Sequence, residues 1–450
     1  MPDNCKPALF PQDKLPESAA LLLQRLEDAG FEAYVVGGCV RDALLGKTPN
    51  DWDICTSAYP DEIRAVFSGF RVIDTGARHG TLTVLSGGVP YEITAFRADG
   101  EYADFRHPVQ VTFVRSLRED LTRRDFTVNA MAYSPKTGLI DCCGGTDDLR
   151  AGIIRCVGVP SKRFDEDALR VLRALRFASV YGFDIEPATS DAVHTLACNL
   201  KHIAAERIRE ELFRLLCGVN AGNILRGYSD VLSLVIPAIK PMIGFDQQNR
   251  HHLYDLWEHT VRSVEYIAPD IVLRLAMLLH DTGKPRALTT DARGECHYNG
   301  HAEYSSAIAE DALLSLKSDR GTLDRVVKLV RFHDIPLDCD QTLLLRRLNR
   351  LGPEDLTALI HLQCADRVAT GTVRPEDAVR EETALLEALR ALLDRQPCFT
   401  LKSLAVNGND LIRLGFSGKK IGETLQRLLD GVMSGSLENT REALLSALDG

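Results

Sequence analysis

Apolar positions recur along this chain with two different periods, and the change from one to the other falls near residue 157. Before that point the pattern is short and strand-like. Residues 18–29, closed by Gly30, have the spacing of an amphipathic helix, and residues 31–36 follow as a short buried run that predicts a strand. A second strand is expected over 51–55, where Asp51 and Asp53 alternate with Trp52 and Ile54 and so project to one side together. A helix over 60–67 opens at Pro60, and residues 81–85 and 91–96 alternate apolar with polar around Ser86, Gly87 and Gly88, a hairpin signature. Residues 139–142 and 153–157 complete the strand-rich part. Every periodic segment beyond it has helical spacing, so the pattern predicts an α+β start and an all-α remainder.

Between the first two strands stands the stretch with the clearest chemistry. Gly37-Gly38 lets the backbone turn tightly after residues 31–36 and approach a phosphate with no Cβ in the way. The helix expected over 40–45 would aim its first N–H groups at an anion, with Arg41 adding a full charge, and Gly46 stops it. Two carboxylates as close as Asp51 and Asp53 repel each other unless a divalent cation lies between them, and hard oxygen ligands suit Mg²⁺ carried by a nucleotide's phosphates. An isolated Asp-x-Asp is usually a solvated turn. Preceded by Gly-Gly and an arginine at a helix start, it points to triphosphate chemistry. Glu92, on the second hairpin strand, is either a third carboxylate for that site or a solvent-facing strand residue.

Length and charge narrow the class. The 450 residues suggest about three domains, and the 45% hydrophobic and 26% charged fractions are those of an ordinary globular protein. No apolar run approaches a membrane span and the first residues lack a signal peptide's apolar core, so a cytoplasmic protein is expected. The 12 cysteines are scattered without a C-x-x-C spacing, which reads as free thiols. A net charge of −10 excludes a nonspecific nucleic-acid coat protein, so a nucleic-acid surface must be local; basic clusters occur over 115–124 and 163–176.

Residues 97–114 are polar and aromatic without helical period, and a loop of that length is usually functional or mobile. After it, Arg123, Arg124 and Asp125 precede an apolar, helix-like segment; one arginine could clamp a phosphate while the other neutralises Asp125. In the segment 165–177, Arg170, Arg173 and Arg176 recur every third residue as a basic stripe, and Asp167 is expected one turn before Arg170 on the same helix. A solvated face with an exposed salt bridge competes with a phosphate cradle here. Asp167 with Arg170 has a sharper meaning against a base edge. Cytosine and adenine offer an amino donor beside a ring-nitrogen acceptor, which a carboxylate and a guanidinium complement; uracil and guanine reverse the pattern, at roughly 1–3 kcal/mol per unpaired group.

A second chemistry lies downstream. His259, His280, Asp281, His301, His333 and Asp366 fall in helical surroundings, and imidazoles mixed with carboxylates make a site for a divalent transition metal or a dinuclear centre that activates water. Each histidine alone reads as structural; adjacent His280-Asp281 before Thr-Gly-Lys lifts the set above that. His252 and His297 are left unassigned. Residues 415–422 could present Lys419 and Lys420 to a nucleic-acid backbone, or form an ordinary helix connection.

Together GGCVRD at 37–42, DWD at 51–53, YEITAFR at 91–97, RRDFTVNA at 123–130, EDALRVLRALRF at 166–177 and AAERIREEL at 204–212 resemble the class II tRNA nucleotidyltransferases, the CCA-adding enzymes and bacterial poly(A) polymerases, over nearly the whole chain. The resemblance implies a polymerase-β-like head over 1–157, a helical neck and body over 158–250, an HD-type helical domain over 251–370 and a tRNA-binding helical tail over 371–450. It implies Mg²⁺ on Asp51 and Asp53, Gly38, Arg41 and Arg124 near the triphosphate, Asp167 and Arg170 as the protein template for the base, and Arg173 and Arg176 as further nucleotide contacts. Residues 97–114 match the flexible element of members that add the terminal A, which favours addition of all three nucleotides. The region 259–366 resembles HD phosphohydrolases, implying a metal site with phosphatase or cyclic phosphodiesterase character.

The expected partners are tRNA, CTP and ATP, and neither DNA nor a membrane. Alternatives remain: a poly(A) polymerase, an enzyme adding only CC or only A, and, from another class, an HD-type signalling phosphohydrolase such as those fused in nitrogen-sensing uridylyltransferases. The last would need strand-rich sensing domains that the pattern after Asp366 lacks.

Overall fold

The computed structural model describes residues 10–77, 80–99, 111–248, 253–292 and 294–448. The chain divides into two compact units, 1–237 and 238–450.

The first unit is built on a seven-stranded sheet. Helix α1 (Glu17–Asp28) precedes strand β1 (Ala33–Val36), helix α2 (Gly38–Leu44), β2 (Ile54–Thr56), α3 (Pro60–Val66), β3 (Arg71–Gly76) and the hairpin β4 (Thr81–Ser86) with β5 (Val89–Ala95). The short strands β6 (Arg97–Asp99) and β7 (Val111–Phe113) pair antiparallel, so the described ends of the expected 97–114 loop form a ladder; 100–110, the rest of that loop, lie outside the described residues. Then come α4 (Leu117–Thr122), β8 (Met131–Ser134), β9 (Gly138–Asp141), α5 (Gly145–Ala151) and β10 (Ile153–Ile154). The sheet order is β3-β4-β5-β2-β1-β8-β9. Only β2 and β5 run parallel in it, and their register pairs Ile54 with Ile93. Tyr34, Val36, Cys55, Phe96, Leu117, Leu121 and Ala132 form one core cluster of this unit.

Two expectations are corrected here. Asp51 and Asp53 are not on a strand: β2 begins at Ile54, and Asp53 only closes the ladder, its carbonyl accepting from the Val36 N–H at 3.0 Å. The segment after Arg124-Asp125 is a single 3₁₀ turn, Thr127–Asn129, followed by the buried strand β8, because an apolar run buried on both faces shows no alternation to distinguish it from a helix.

Helices α6 (Pro160–Glu166) and α7 (Leu169–Tyr181) follow, then β11 (Asp184–Ile185), α8 (Pro187–Leu196), α9 (Ala205–Leu216), α10 (Ala221–Gly227) and α11 (Ser229–Val235). Residues 165–177 are thus two helices rather than one. The chain leaves α6 at Asp167, and the Asp167 carboxylate accepts the Leu169 N–H at 3.0 Å, capping α7.

Among its described residues the second unit is helical apart from the small hairpin of β12 (Thr289–Thr290) and β13 (Cys296–His297). Its helices are α12 (Leu256–Tyr266), α13 (Ile271–Leu279), α14 (Lys284–Ala287), α15 (His301–Ser315), α16 (Arg320–Phe332), α17 (Gln341–Leu351), α18 (Pro353–Ala369), α19 (Pro375–Asp394), α20 (Gly408–Arg413), α21 (Lys419–Met433) and α22 (Arg441–Ser446). Asp255, Asp270, Asp319 and Asp340 cap α12, α13, α16 and α17 through their side chains, each satisfying N–H groups that a helix start leaves open. α12, α13, α16 and α18 pack on one another around a buried polar centre.

Candidate active site

In the first unit the candidate groups gather where β1 ends and β2 begins. The β2–β5 register sets Glu92 beside Asp53. Asp53 is exposed by area, yet protein on several sides removes enough water, with Asp51 and Glu92 pressing the same way against Arg124, to push its carboxyl up to about 6. The three carboxylates therefore share one electrostatic site, although their oxygens do not all lie within 4.8 Å of one another.

Gly37 has φ +80°, a conformation that suits glycine, and a Cβ there would stand 3.0 Å from Arg124 Nη1. The bare backbone thus admits Arg124, whose Nη2 donates to Asp120 at 3.1 Å. Asp120 is fully buried; against the cost of that burial, Arg124 and Arg123 hold its carboxyl below the usual range. Arg41 is also buried. It donates to Asn129 and, through Nε at 3.0 Å, to Asp42, and its guanidinium lies 5.1 and 4.5 Å from the ring centres of Phe177 and Tyr181. Gly38 is close by: a Cβ there would meet Arg41 Nη2 at 3.5 Å.

The arginine stripe of α7 differs from its expectation. Asp167 and Arg170 do not pair. Arg170 donates to Glu166 at 2.6 Å and to the backbone carbonyls of Arg163 and Arg123, while Arg207 lies 3.5 Å from Asp167. Arg173 binds Asp125 (Nε at 2.8 Å) and Arg176 binds Glu211. All three arginines are thus committed to carboxylates, so the stripe carries paired rather than open charge. Burial would raise the Asp125 carboxyl, but Arg173 and Asn129 outweigh it and hold it well below the usual carboxylate range. Burial, in turn, lowers Arg176 despite Glu211.

Sequence reasoning missed Asp120, Asn129, Glu166, Glu211, Phe177 and Tyr181 as supports of the site. Glu166 stands four residues before Arg170, a helical spacing that signals the pair even across the break; Asp125 and Glu211 meet arginines 48 and 35 residues away, for which no local signal exists.

In the second unit all six predicted metal ligands converge. His259 on α12 has Nε2 2.9 Å from Asp366 on α18 and 3.5 Å from Asp281. His280, which ends α13, has Nε2 3.1 Å from Asp281 and 3.2 Å from Asp366. His301, which starts α15, lies 3.3 Å from the other oxygen of Asp281 and 3.0 Å from His333, the C-cap of α16. Two ligand sets result, His259-His280-Asp281-Asp366 and Asp281-His301-His333, and Asp281 belongs to both.

Backbone carbonyls three residues earlier orient these rings: Nδ1 of His280, His301 and His333 meets Met277, Tyr298 and Val330 at 2.6, 2.9 and 2.7 Å. A carbonyl only accepts, so each Nδ1 carries the hydrogen and each Nε2, turned inward, is the atom that could hold a metal. Burial opposes charge on His280, yet Asp281 and Asp366 raise it to about 10. Lys284 Nζ lies 2.7 Å from Asp281 and donates to Gln247 at 3.0 Å. Gly283 is obligatory in this turn, since a Cβ there would stand 2.4 Å from the His301 carbonyl. His297 is apart, exposed beside Asp291 and Glu295, and His252 lies outside the described residues.

The poly A polymerase head domain matches residues 33–155, the RNA and SrmB-binding site of polymerase A matches 182–230, and tRNA nucleotidyltransferase domain 2 matches 301–448. His259, His280 and Asp281 fall outside all three. The CCA-adding enzyme of Lactobacillus helveticus is 35% identical over 97% of this chain and 98% of its own length, and that of Levilactobacillus brevis 36% over 96% and 97%. Among solved structures, the Bacillus stearothermophilus CCA-adding enzyme in complex with CTP is 31% identical, with a TM-score of 0.71 over 96% of each chain. The Thermotoga maritima CCA-adding enzyme complexed with tRNA, 22% identical with a TM-score of 0.58 over 96% of this chain and 94% of that one, shares the fold. With full-length likeness at this level and a head that gathers acids and arginines at the end of its sheet, the chain belongs to the class II CCA-adding enzymes.

Proposed function

We propose that this chain adds C, C and A one at a time to the 3′ end of a tRNA, consuming CTP and ATP and releasing pyrophosphate. The observation that carries this reading is Asp53, a carboxyl pushed up to about 6 by burial and by Asp51 and Glu92, within a family whose chemistry is nucleotidyl transfer. Crowded, partly desolvated acids beside two arginines are the donor set of a hard divalent cation, so Mg²⁺ fits, held by Asp51 and Asp53 with Glu92 as a further oxygen. When bound, Mg²⁺ acidifies the terminal hydroxyl of the tRNA and neutralises charge on the departing pyrophosphate.

The remaining work falls to side chains. Arg41 and Arg124, fixed by Asn129 and Asp120, grip the triphosphate against the bare backbone of Gly38. Asp167 accepts the amino group of C or A while Arg170 donates to the ring nitrogen, and Arg207 and Glu166 hold the two in place. Arg173 and Arg176 border the nucleotide while tying α7 to Asp125 and Glu211.

The convergence of six ligands in the second unit supports a second activity, metal-dependent phosphoester hydrolysis. Buried Asp281 Oδ2 and His280 Nε2 find close partners but no well-formed hydrogen bond, as expected of atoms shaped to hold a transition metal. On this reading the chain has an HD-type domain around α12–α18, with the nucleotidyltransferase head before it and a tail after it.

Incubating the protein with a tRNA that lacks its 3′ end and with each triphosphate in turn tests the main reading. Two C additions from CTP and one A only after them are expected. Long A tracts made from ATP alone on a tRNA ending in CCA would overturn it.

A further inference from the structure

The turn between β9 and α5 carries two adjacent cysteines that neither activity uses. Cys142 is exposed and Cys143 half-buried, and their Sγ atoms lie 3.8 Å apart. Adjacent residues suit a disulfide poorly, since their Cα atoms are only about 3.8 Å apart across a trans peptide, whereas the bridge prefers roughly 4.4–6.8 Å. Chelation has no such conflict. For metal–thiolate bonds of about 2.3 Å, sulfurs 3.8 Å apart subtend about 110° at the metal, close to the tetrahedral angle.

We infer that Cys142 and Cys143 form a two-sulfur chelate for a thiophilic divalent cation of the zinc and cadmium class. Filling the site forms two metal–sulfur bonds and releases the two thiol protons; no oxidant takes part. Neighbouring Asp141 is not a third ligand, because one of its oxygens accepts the N–H groups of Cys143 and Gly145 at 3.2 and 3.0 Å and the other accepts Thr146 N and Oγ1 at 2.8 Å. Two coordination positions stay open to water or small anions, which makes the site exchangeable rather than structural.

Its place in the fold gives the site a route to the nucleotide. Asp141 anchors the start of α5, and α5 sits so close to the turn Thr127–Asn129 that a Cβ on Gly145 would stand 2.2 Å from the Thr127 carbonyl. Thr127 donates to Asp148 at 2.7 Å, and Asn129 in the same turn holds both Arg41 and Asp125. A cation clamped across Cys142 and Cys143 stiffens the turn that supports Arg41, so loading reduces nucleotide use. This last step rests on the proposed role of Arg41; the binding site itself does not.

The test titrates Cd²⁺ into the reduced full-length protein and follows cadmium–thiolate charge-transfer absorbance, a band that the histidines and carboxylates of the second unit cannot produce. Cys142→Ser, Cys143→Ser and the double variant are compared with the parent, with thermal unfolding as the check on folding. Each single variant is expected to lose the same one equivalent per chain as the double variant, because a chelate fails when either sulfur goes. A band undiminished in the double variant, or single losses of half an equivalent that add, would overturn the site. In parallel, Cd²⁺ should inhibit CTP incorporation at least about twofold more in the parent than in the double variant, with both assayed in the same Mg²⁺; equal inhibition would overturn the link to Arg41, whatever the absorbance shows.

Discussion

The buried carboxylate of Asp125 pairs with half-buried Arg173 and so joins the Arg-Arg-Asp turn of the head to helix α7, 48 residues further along the chain. Because Asn129 also donates to Asp125 and accepts from Arg41, this one carboxylate connects α2 with α7 in the first unit.

Stability should follow that pair as pH changes. The folded pKa of Asp125 is depressed, so its contribution is complete above the unfolded value of about 3.9 and fades as pH falls below it. Asp125→Asn takes from half-buried Arg173 its shorter carboxylate partner and leaves Glu211 at 3.7 Å, so the expected cost is about 1–3 kcal/mol at pH 7, less in acid. Denaturant unfolding of parent and variant across pH 3–8 checks this; a constant difference would count against the pair.

Asp53 carries the opposite sign. Its pKa is raised to about 6, so the folded state is favoured at low pH and loses that advantage as pH rises through 6. Asp53→Asn removes the penalty. The variant is expected to melt higher than the parent at pH 7.5 in chelator and to show no gain near pH 4, while nucleotide incorporation falls at least about a hundredfold with tRNA binding retained. Melting curves and a primer-extension assay decide both parts.

Base choice should respond to Asp167. Replacing it with Ala leaves the amino group of C or A without its acceptor and removes the penalty on U and G. Discrimination is expected to fall about 5- to 150-fold, equivalent to roughly 1–3 kcal/mol. Misincorporation of UTP and GTP by Asp167→Ala measures it, and unchanged selectivity would reduce Asp167 to the cap of α7.

Metal binding in the second unit should release protons. His280, at about 10, must give up a proton to become a ligand, so affinity is expected to rise with pH through the neutral range and to fall in acid. Calorimetry with Mn²⁺ or Ni²⁺ in buffers of different ionisation enthalpy counts the protons. His280→Ala should abolish phosphoester hydrolysis and leave CTP incorporation intact.

What was legible in the sequence divides along physical lines. His259, His280, Asp281, His301, His333 and Asp366 assemble as anticipated because their chemistry marks them whatever lies between. The β4–β5 hairpin was readable from alternation around two glycines. β8 was not, since Met131–Ser134 is buried throughout and a continuous apolar run has no period. The break at Asp167-Ala168 was hidden because every residue from Glu166 to Phe177 tolerates a helix, and only the carboxylate capping Leu169 shows where one ends and the next begins. The acid partners of Arg173 and Arg176 come from distant parts of the chain, beyond the reach of any local pattern.

Asp281 offers one oxygen to the histidines of α12 and α13 and the other to those beginning α15 and ending α16. On the proposed reading, a carboxylate shared in this way would make two cations interdependent: the first to arrive would orient the bridge for the second, and its departure would loosen both. Loading would then be sigmoidal in metal concentration, and the proposed hydrolysis would switch on over a narrow range of metal supply instead of tracking it in proportion.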